Sequence, residues 1–179
     1  MTTVRLRAEG PADGVAINRL VAEAFASPDT RLPAEVRLVE ALRASDAWLP
    51  ELSMVAEVDG ELVGYALLTR VDVWPGGVPA LALGPVAVRP SRQRRGYGQD
   101  VVRAALDAAA ELGERLVVVL GNPAYYRRFG FEPAARFGLT SPWSGLGDPW
   151  QALVLPSVDG SDDPVPSGEV TFPAPWSQI

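Results

Sequence analysis

The sequence predicts a mixed β-sheet with helices on both faces, in the α/β or α+β class. Three observations predict it. Two apolar runs flank Asp59-Gly60, a strong hairpin signal for antiparallel strands. Further on, a strand, an amphipathic helix and a second strand follow one another, which implies a crossover to a parallel partner. The whole chain reads β-α-α-β-β-β-α-β-α-β, so both kinds of pairing belong to one sheet.

The elements follow in order. "TTVRLRAE" alternates as a strand does. In "PADGVAINRLVAEAFA", Val15, Ile17, Leu20, Val21, Ala24 and Phe25 recur near the helical period, and Pro11 suits the first turn. "LPAEVRLVEALRAS" is a second helix with Val36, Leu38, Val39 and Leu42 mostly on one side. "ALALGPVAV" is a strand interrupted at Gly84-Pro85. Gly98 to Gly113 is the clearest helix, with Val101, Ala105, Ala109 and Leu112 on one face and charges on the other. "RLVVVLG" has the length of a buried strand. Asn122 caps a short helix that Pro123 opens and Gly130 ends. "QALVLP" is a late strand, and "EVTFP" a final edge strand. No internal repeat or long linker divides the 179 residues. They read as a single domain, 1–179, with a Pro/Asp-rich C-terminal extension from about residue 156.

Composition narrows the chemistry. The chain has no Cys and no His, which removes thiolate catalysis, zinc–thiolate sites and the usual near-neutral base. No metal is expected. All sixteen basic residues are Arg, so neither a Schiff-base lysine nor a P-loop lysine is available. No apolar run approaches a membrane span, and "MTTVRLRAEG" has no apolar stretch of signal-peptide type. The expected location is cytoplasmic, with no membrane partner. A formal charge of −6 argues against broad binding to nucleic acid.

Against that acidic background, "RPSRQRRGYG" places four arginines and two glycines in ten residues, between a strand and the clearest helix. Helix N-termini present unpaired N–H groups and partial positive charge. Gly96 and Gly98 remove side chains that would hold an anion away, and Arg94 and Arg95 add charge. This favours a pyrophosphate over an unliganded, solvated loop. A dinucleotide fingerprint fails: position 101 is Val, and Val118 stands where an acid is wanted.

The segment "VAVRPSRQRRGYG" resembles motif A of the GNAT superfamily of acyl-CoA-dependent N-acyltransferases, whose Gln/Arg-x-x-Gly-x-Gly/Ala pattern Gln93, Gly96 and Gly98 meet. "VVVLGNPAYYRRFGFEPA", "FGLTSPW" and "GEVTFPAPW" are similar to a YhbS-like branch of predicted acetyltransferases, in the family's order and over almost the whole chain. The resemblance implies a twisted mixed sheet with a V-shaped splay between the central parallel strands, and acetyl-CoA as co-substrate. It implies that Val86, Ala87 and Val88 hold pantetheine. It implies that Arg94, Arg95, Gly96, Tyr97, Gly98 and Gln99 hold the pyrophosphate, with Asn122 also at the cofactor site and Arg127 or Arg128 reaching a 3′-phosphate. Pro85 gives the splay a local cause, because it cannot donate to a strand ladder. Backbone groups left unpaired beyond it need a partner, and pantetheine can add there like a short strand.

The implied reaction is acyl transfer, most simply acetyl, to a primary amine on a small molecule or peptide. Tyr126 occupies the family's general-acid position, with Tyr125 as its competitor. The family's usual carboxylate positions fall on Ala82 and Val117, which take no proton. Asp29, Glu35 and Asp72 flank the acceptor side, and Trp74 and Trp143 are candidates for its wall. Many members dimerise, which leaves room for a homodimer through the tail. The rival readings are a non-catalytic CoA-binding module and a nucleic-acid binder using Arg89, Arg92, Arg94 and Arg95.

Overall fold

A computed structural model describes residues 2–179. In chain order the elements are β1 (Val4–Ala8), α1 (Gly14–Ala24), α2 (Ala34–Arg43), β2 (Ser53–Val58), β3 (Glu61–Trp74), β4 (Val78–Val88), α3 (Tyr97–Glu111), β5 (Leu116–Leu120), α4 (Pro123–Tyr126), β6 (Glu132–Pro133), β7 (Leu139–Thr140), β8 (Trp150–Val154) and β9 (Gly168–Thr171). They form a mixed sheet in the order β1-β2-β3-β4-β5-β8-β6. β4 and β5 are parallel, as the crossover through α3 requires, and so is the short β7–β9 pair; the other pairings are antiparallel.

Side-chain alternation builds a core on each face of the sheet. Tyr65, Leu67, Val71 and Val73 of β3 pack with Ile17, Leu20, Leu38 and Leu42 of α1 and α2. Their neighbours Ala66 and Leu68 pack with Val101, Val102, Ala105 and Ala109 of α3. β3 is therefore apolar along nearly its whole length, as a strand covered on both faces must be.

One irregularity in this frame positions the site. Ala66 pairs with Val86 and Leu68 with Leu83, so Gly84 and Pro85 together stand opposite Leu67. This is a β-bulge, and it shifts the alternation of β4 by one residue. Before it, Ala80 and Ala82 face α1 and α2; after it, Ala87 does, and Val86 faces α3. The parallel pairing with β5 runs through Leu81, Ala82 and Leu83 and stops there. Val86 to Val88 remain paired with β3 on one side only. The splay expected at Pro85 lies between β4 and β5.

Several details differ from the sequence reading. α1 begins at Gly14, with Pro11 in the turn before it. The Asp13 carboxylate accepts from Gly10 N–H at 2.6 Å and from Arg7, which fixes that turn. Leu112 is the C-cap of α3 and half exposed, because the chain turns away at Gly113 with φ of +84°. β9 does not lie at an edge. It pairs with β3 at Asp72–Trp74 and with β7, so the tail folds back onto the chain's own sheet.

Candidate active site

The splay opens a cleft between the C-terminal half of β4 and α4. One cavity, of about 410 Å³, lies where β4 meets α3. Val86, Val88, Gln93, Arg94, Gly96, Tyr97, Gly98, Gln99 and Arg128 line it, together with both tyrosines of α4. A larger cavity, of about 600 Å³, lies on the other side of the splay. Val86, Tyr125 and Tyr126 are common to both walls. A ligand passing from one cavity to the other crosses both tyrosines.

The loop before α3 has the features of an anion cradle. Gly96 is the N-cap, with φ of +90°, a conformation that favours glycine, and no side chain caps the helix. The first intrahelical bond runs from Asp100 N–H to the Gly96 carbonyl at 3.0 Å. The amides of Tyr97, Gly98 and Gln99 therefore have no carbonyl within the helix. Gly98 serves a different purpose from Gly96. A Cβ there would lie 2.9 Å from the Tyr125 hydroxyl and 3.2 Å from Val88 Cγ2. Its smallness lets α4 close against the loop.

The four arginines divide into two pairs with different tasks. Arg89 reaches Glu23 at 2.8 Å and Glu61 at 3.0 Å, and Arg92 reaches Glu61 at 3.0 Å. These two anchor the loop to α1 and to the start of β3. Arg94 and Arg95 are exposed and have no carboxylate partner among the described residues. Positive charge is thus free at the loop tip and neutralised at its base. That removes half of the patch a nucleic-acid binder would need. Arg94 lines the smaller cavity; Arg95 does not. Gln93 donates to the Val88 carbonyl at 3.3 Å and closes the end of β4.

Ala87 and Asn122 are placed differently from the rest of the expected cofactor set. The Ala87 side chain is buried on the α1 face, so only its backbone can meet a ligand in the cleft. Asn122 lines the larger cavity, not the smaller, and its side-chain oxygen accepts from Ala124 N–H at 2.9 Å as the expected cap of α4. Arg128 lies 4.4 Å from the Tyr125 ring centroid, and Arg127 is exposed.

Tyr126 is held firmly. Its ring meets Phe131 edge-on with centroids 5.7 Å apart, and it covers Gly121 so closely that a Cβ there would collide with it. Its hydroxyl makes no hydrogen bond among the described residues. Burial, and to a smaller degree the neighbouring Tyr125, pushes its pKa up to about 12. Burial also raises Tyr125, against the pull of Arg128. The rings of the two tyrosines cross at 88°, so they present different edges to the cleft.

The larger cavity divides the other candidates. Trp143 lines the larger cavity; Trp74 does not. It is half exposed at the far end of β3, where its indole N–H donates to Thr171 at 3.0 Å. Glu35 lines the cavity, while Asp29 is an exposed loop residue and Asp72 borders a separate small pocket. Ala82 is on the cavity wall, whereas Val117 faces α3 and is fully buried. The sequence reading missed Phe172 and Trp176, which also form the wall. "TFPAPW" carried the signal, but only the β9 pairing shows where it lands.

A bulged β4, a parallel partner that leaves it, and a glycine-rich turn into α3 together frame the cleft. The profile of the Acetyltransferase (GNAT) family matches residues 17–131. The chain belongs to that family. It is 34% identical over 146 residues to an uncharacterized N-acetyltransferase, YhbS, of Escherichia coli K12, covering 82% of this chain and 84% of that protein. Its fold superposes on the crystal structure of the E. coli GNAT family N-acetyltransferase YhbS in complex with CoA. The TM-score is 0.84 at 29% identity, over 99% of this chain and 93% of that one. A GNAT family acetyltransferase from Brucella melitensis, in complex with acetyl-CoA, gives a TM-score of 0.76 at 31% identity, over 97% and 98% of the two chains. No helix among the described residues is long and apolar enough to cross a membrane.

Proposed function

We propose that this protein transfers an acetyl group from acetyl-CoA to a primary amine, with both substrates in the cleft at once. The observation that carries the proposal is the shared wall. The two cavities meet at Val86, Tyr125 and Tyr126, at the point where β5 leaves β4.

The chain fits a CoA thioester on its own features. Among the described residues, Arg94 and Arg95 have no carboxylate partner, three helix N-terminal amides are open, and a strand has one side unpaired beyond Pro85. In this reading the loop 93–98 and the amides of Tyr97, Gly98 and Gln99 hold the pyrophosphate. The free backbone edge of Val86 to Val88 holds the two pantetheine amides as a further strand would. The bound thioester supplies an activated acyl group.

The residues around it then divide the work. An unpaired strand N–H beyond Pro85 donates to the oxygen that gains charge. Tyr126 remains protonated at neutral pH and gives its proton to the departing thiolate. Its packing against Phe131 and Gly121 fixes the hydroxyl, so little reorganisation is needed. No protein base stands at Ala82 or Val117, and the amine loses its proton through water. Thiol release from acetyl-CoA, followed with and without a panel of primary amines, tests this reading. Amine-dependent release that Tyr126→Phe suppresses is expected. Tight CoA binding with no amine-dependent release would make the protein a CoA-binding module instead.

A further inference from the structure

The larger cavity has a composition that selects among amines. Phe25, Leu38, Trp143, Trp150, Phe172 and Trp176 supply its apolar wall. Two aromatic contacts stiffen it: Trp143 meets Phe172 with centroids 4.5 Å apart, and Phe172 meets Trp176 at 5.3 Å. Charge is scarce. Glu35 is the one carboxylate side chain on the wall, and no arginine lines it, among the described residues.

Glu35 makes no hydrogen bond and no ion pair among the described residues. Its position in the first turn of α2 suits the helix dipole. The dipole accounts for an acid in that turn, but not for one on an aromatic wall without a partner. A half-buried carboxylate against apolar surface costs desolvation that a cation can offset. Aromatic faces favour the same cation.

Resting on the acetyl-transfer reading, we infer that the acceptor is a small monocationic amine with a flat apolar body and no anionic group. Glu35 pairs with its ammonium, and the ring of Trp143, with Phe172 and Trp176, takes its body. A cavity of about 600 Å³ falls in the range of small-molecule sites and has room for one ring beside the thioester. A carboxylate or phosphate on the acceptor meets Glu35 and finds no counter-charge. A sugar or polyamine leaves most of its polar groups without partners, which such a wall penalises. Glu35 acts in recognition, and the proton still leaves through water.

The test compares three amines: 2-phenylethylamine, ethanolamine, which replaces the ring by a hydroxyl, and phenylalanine, which adds a carboxylate. Turnover is followed with acetyl-CoA, and amine binding to the CoA complex is followed by calorimetry. The inference expects 2-phenylethylamine to exceed both others by about 30-fold in kcat/KM and in affinity. Glu35→Gln should raise its KM about tenfold, hold kcat within about threefold, and leave acetyl-CoA affinity unchanged. Equal or better use of ethanolamine or phenylalanine overturns the inference. So does a Glu35→Gln variant with unchanged KM, or one that loses kcat in place of KM. If 2-phenylethylamine binds selectively but is never acetylated, the ligand class of the cavity stands and the transfer reading fails.

Discussion

The hydroxyl of Tyr125 lies 2.9 Å from the point a Cβ on Gly98 would occupy. The short helix α4 therefore closes directly against the first turn of α3, and the smaller cavity exists because residue 98 has no side chain. Gly98 has helical φ, so alanine suits its backbone but pushes Tyr125 away. Gly98→Ala should keep thermal stability within a few degrees while weakening acetyl-CoA binding about tenfold or more, measured by calorimetry. Adding Tyr125→Phe removes the colliding oxygen and should restore part of the affinity. No restoration would show that the loss arises within the loop.

Tyr126→Phe should lower kcat by about 10²–10⁴, the usual worth of a general acid, with little change in KM for acetyl-CoA. Tyr125→Phe should cost less, because its hydroxyl is directed at Gly98. The pH dependence carries a sign. Burial raises the Tyr126 pKa to about 12, so the acid form persists well above neutrality. The kcat profile should show no falling limb from this group below about pH 10. A fall near pH 9 that Tyr126→Phe abolishes would contradict the burial argument.

The two arginine pairs should separate in experiment. Arg94→Ala with Arg95→Ala should weaken acetyl-CoA binding and flatten its dependence on salt, since free charge at the loop tip is lost. Arg89→Ala or Arg92→Ala should instead cost about 1 kcal/mol or less of stability, as partly exposed ion pairs do, with affinity within about threefold. Chemical denaturation and calorimetry on the same samples distinguish the two classes.

The absence of a base at Ala82 and Val117 predicts that the rising limb of kcat/KM follows the free amine, because that profile reports free species. Two acceptors whose amines differ by one to two pKa units should shift the limb accordingly, in the wild type and in Glu35→Gln alike. A limb fixed across acceptors and lost on substituting Glu35 would make it the base. Asp29→Asn and Asp72→Asn should change neither limb nor rate, since neither residue lines the larger cavity.

What the sequence made legible was local. The bulge at Gly84-Pro85, the glycine turn into α3 and the Asn122 cap each depend on a few adjacent residues with one strong conformational preference. What stayed hidden depends on contacts across the chain. Nothing near Arg89 or Arg92 marks them as anchors, because their partners Glu23 and Glu61 lie 66 and 31 residues upstream. Trp74 and Trp143 looked equally able to be surface, core or wall. The β9–β3 pairing decides it, placing one outside the cavity and the other in its wall. The division among Asp29, Glu35 and Asp72 follows from which face of the sheet each element covers. Periodicity gives the faces of a helix but not the cavity beside it.

The most direct test of the account is a crystal structure with CoA bound, read at the sulfur atom. The expected result is pantetheine amides bonded to the backbone of Val86 to Val88, phosphates on the loop 93–98, and the sulfur within about 3.5 Å of the Tyr126 hydroxyl. The larger cavity should remain open beyond it. A sulfur beside Tyr125 with Tyr126 turned away, or a pantetheine arm that does not pair with β4, would contradict it.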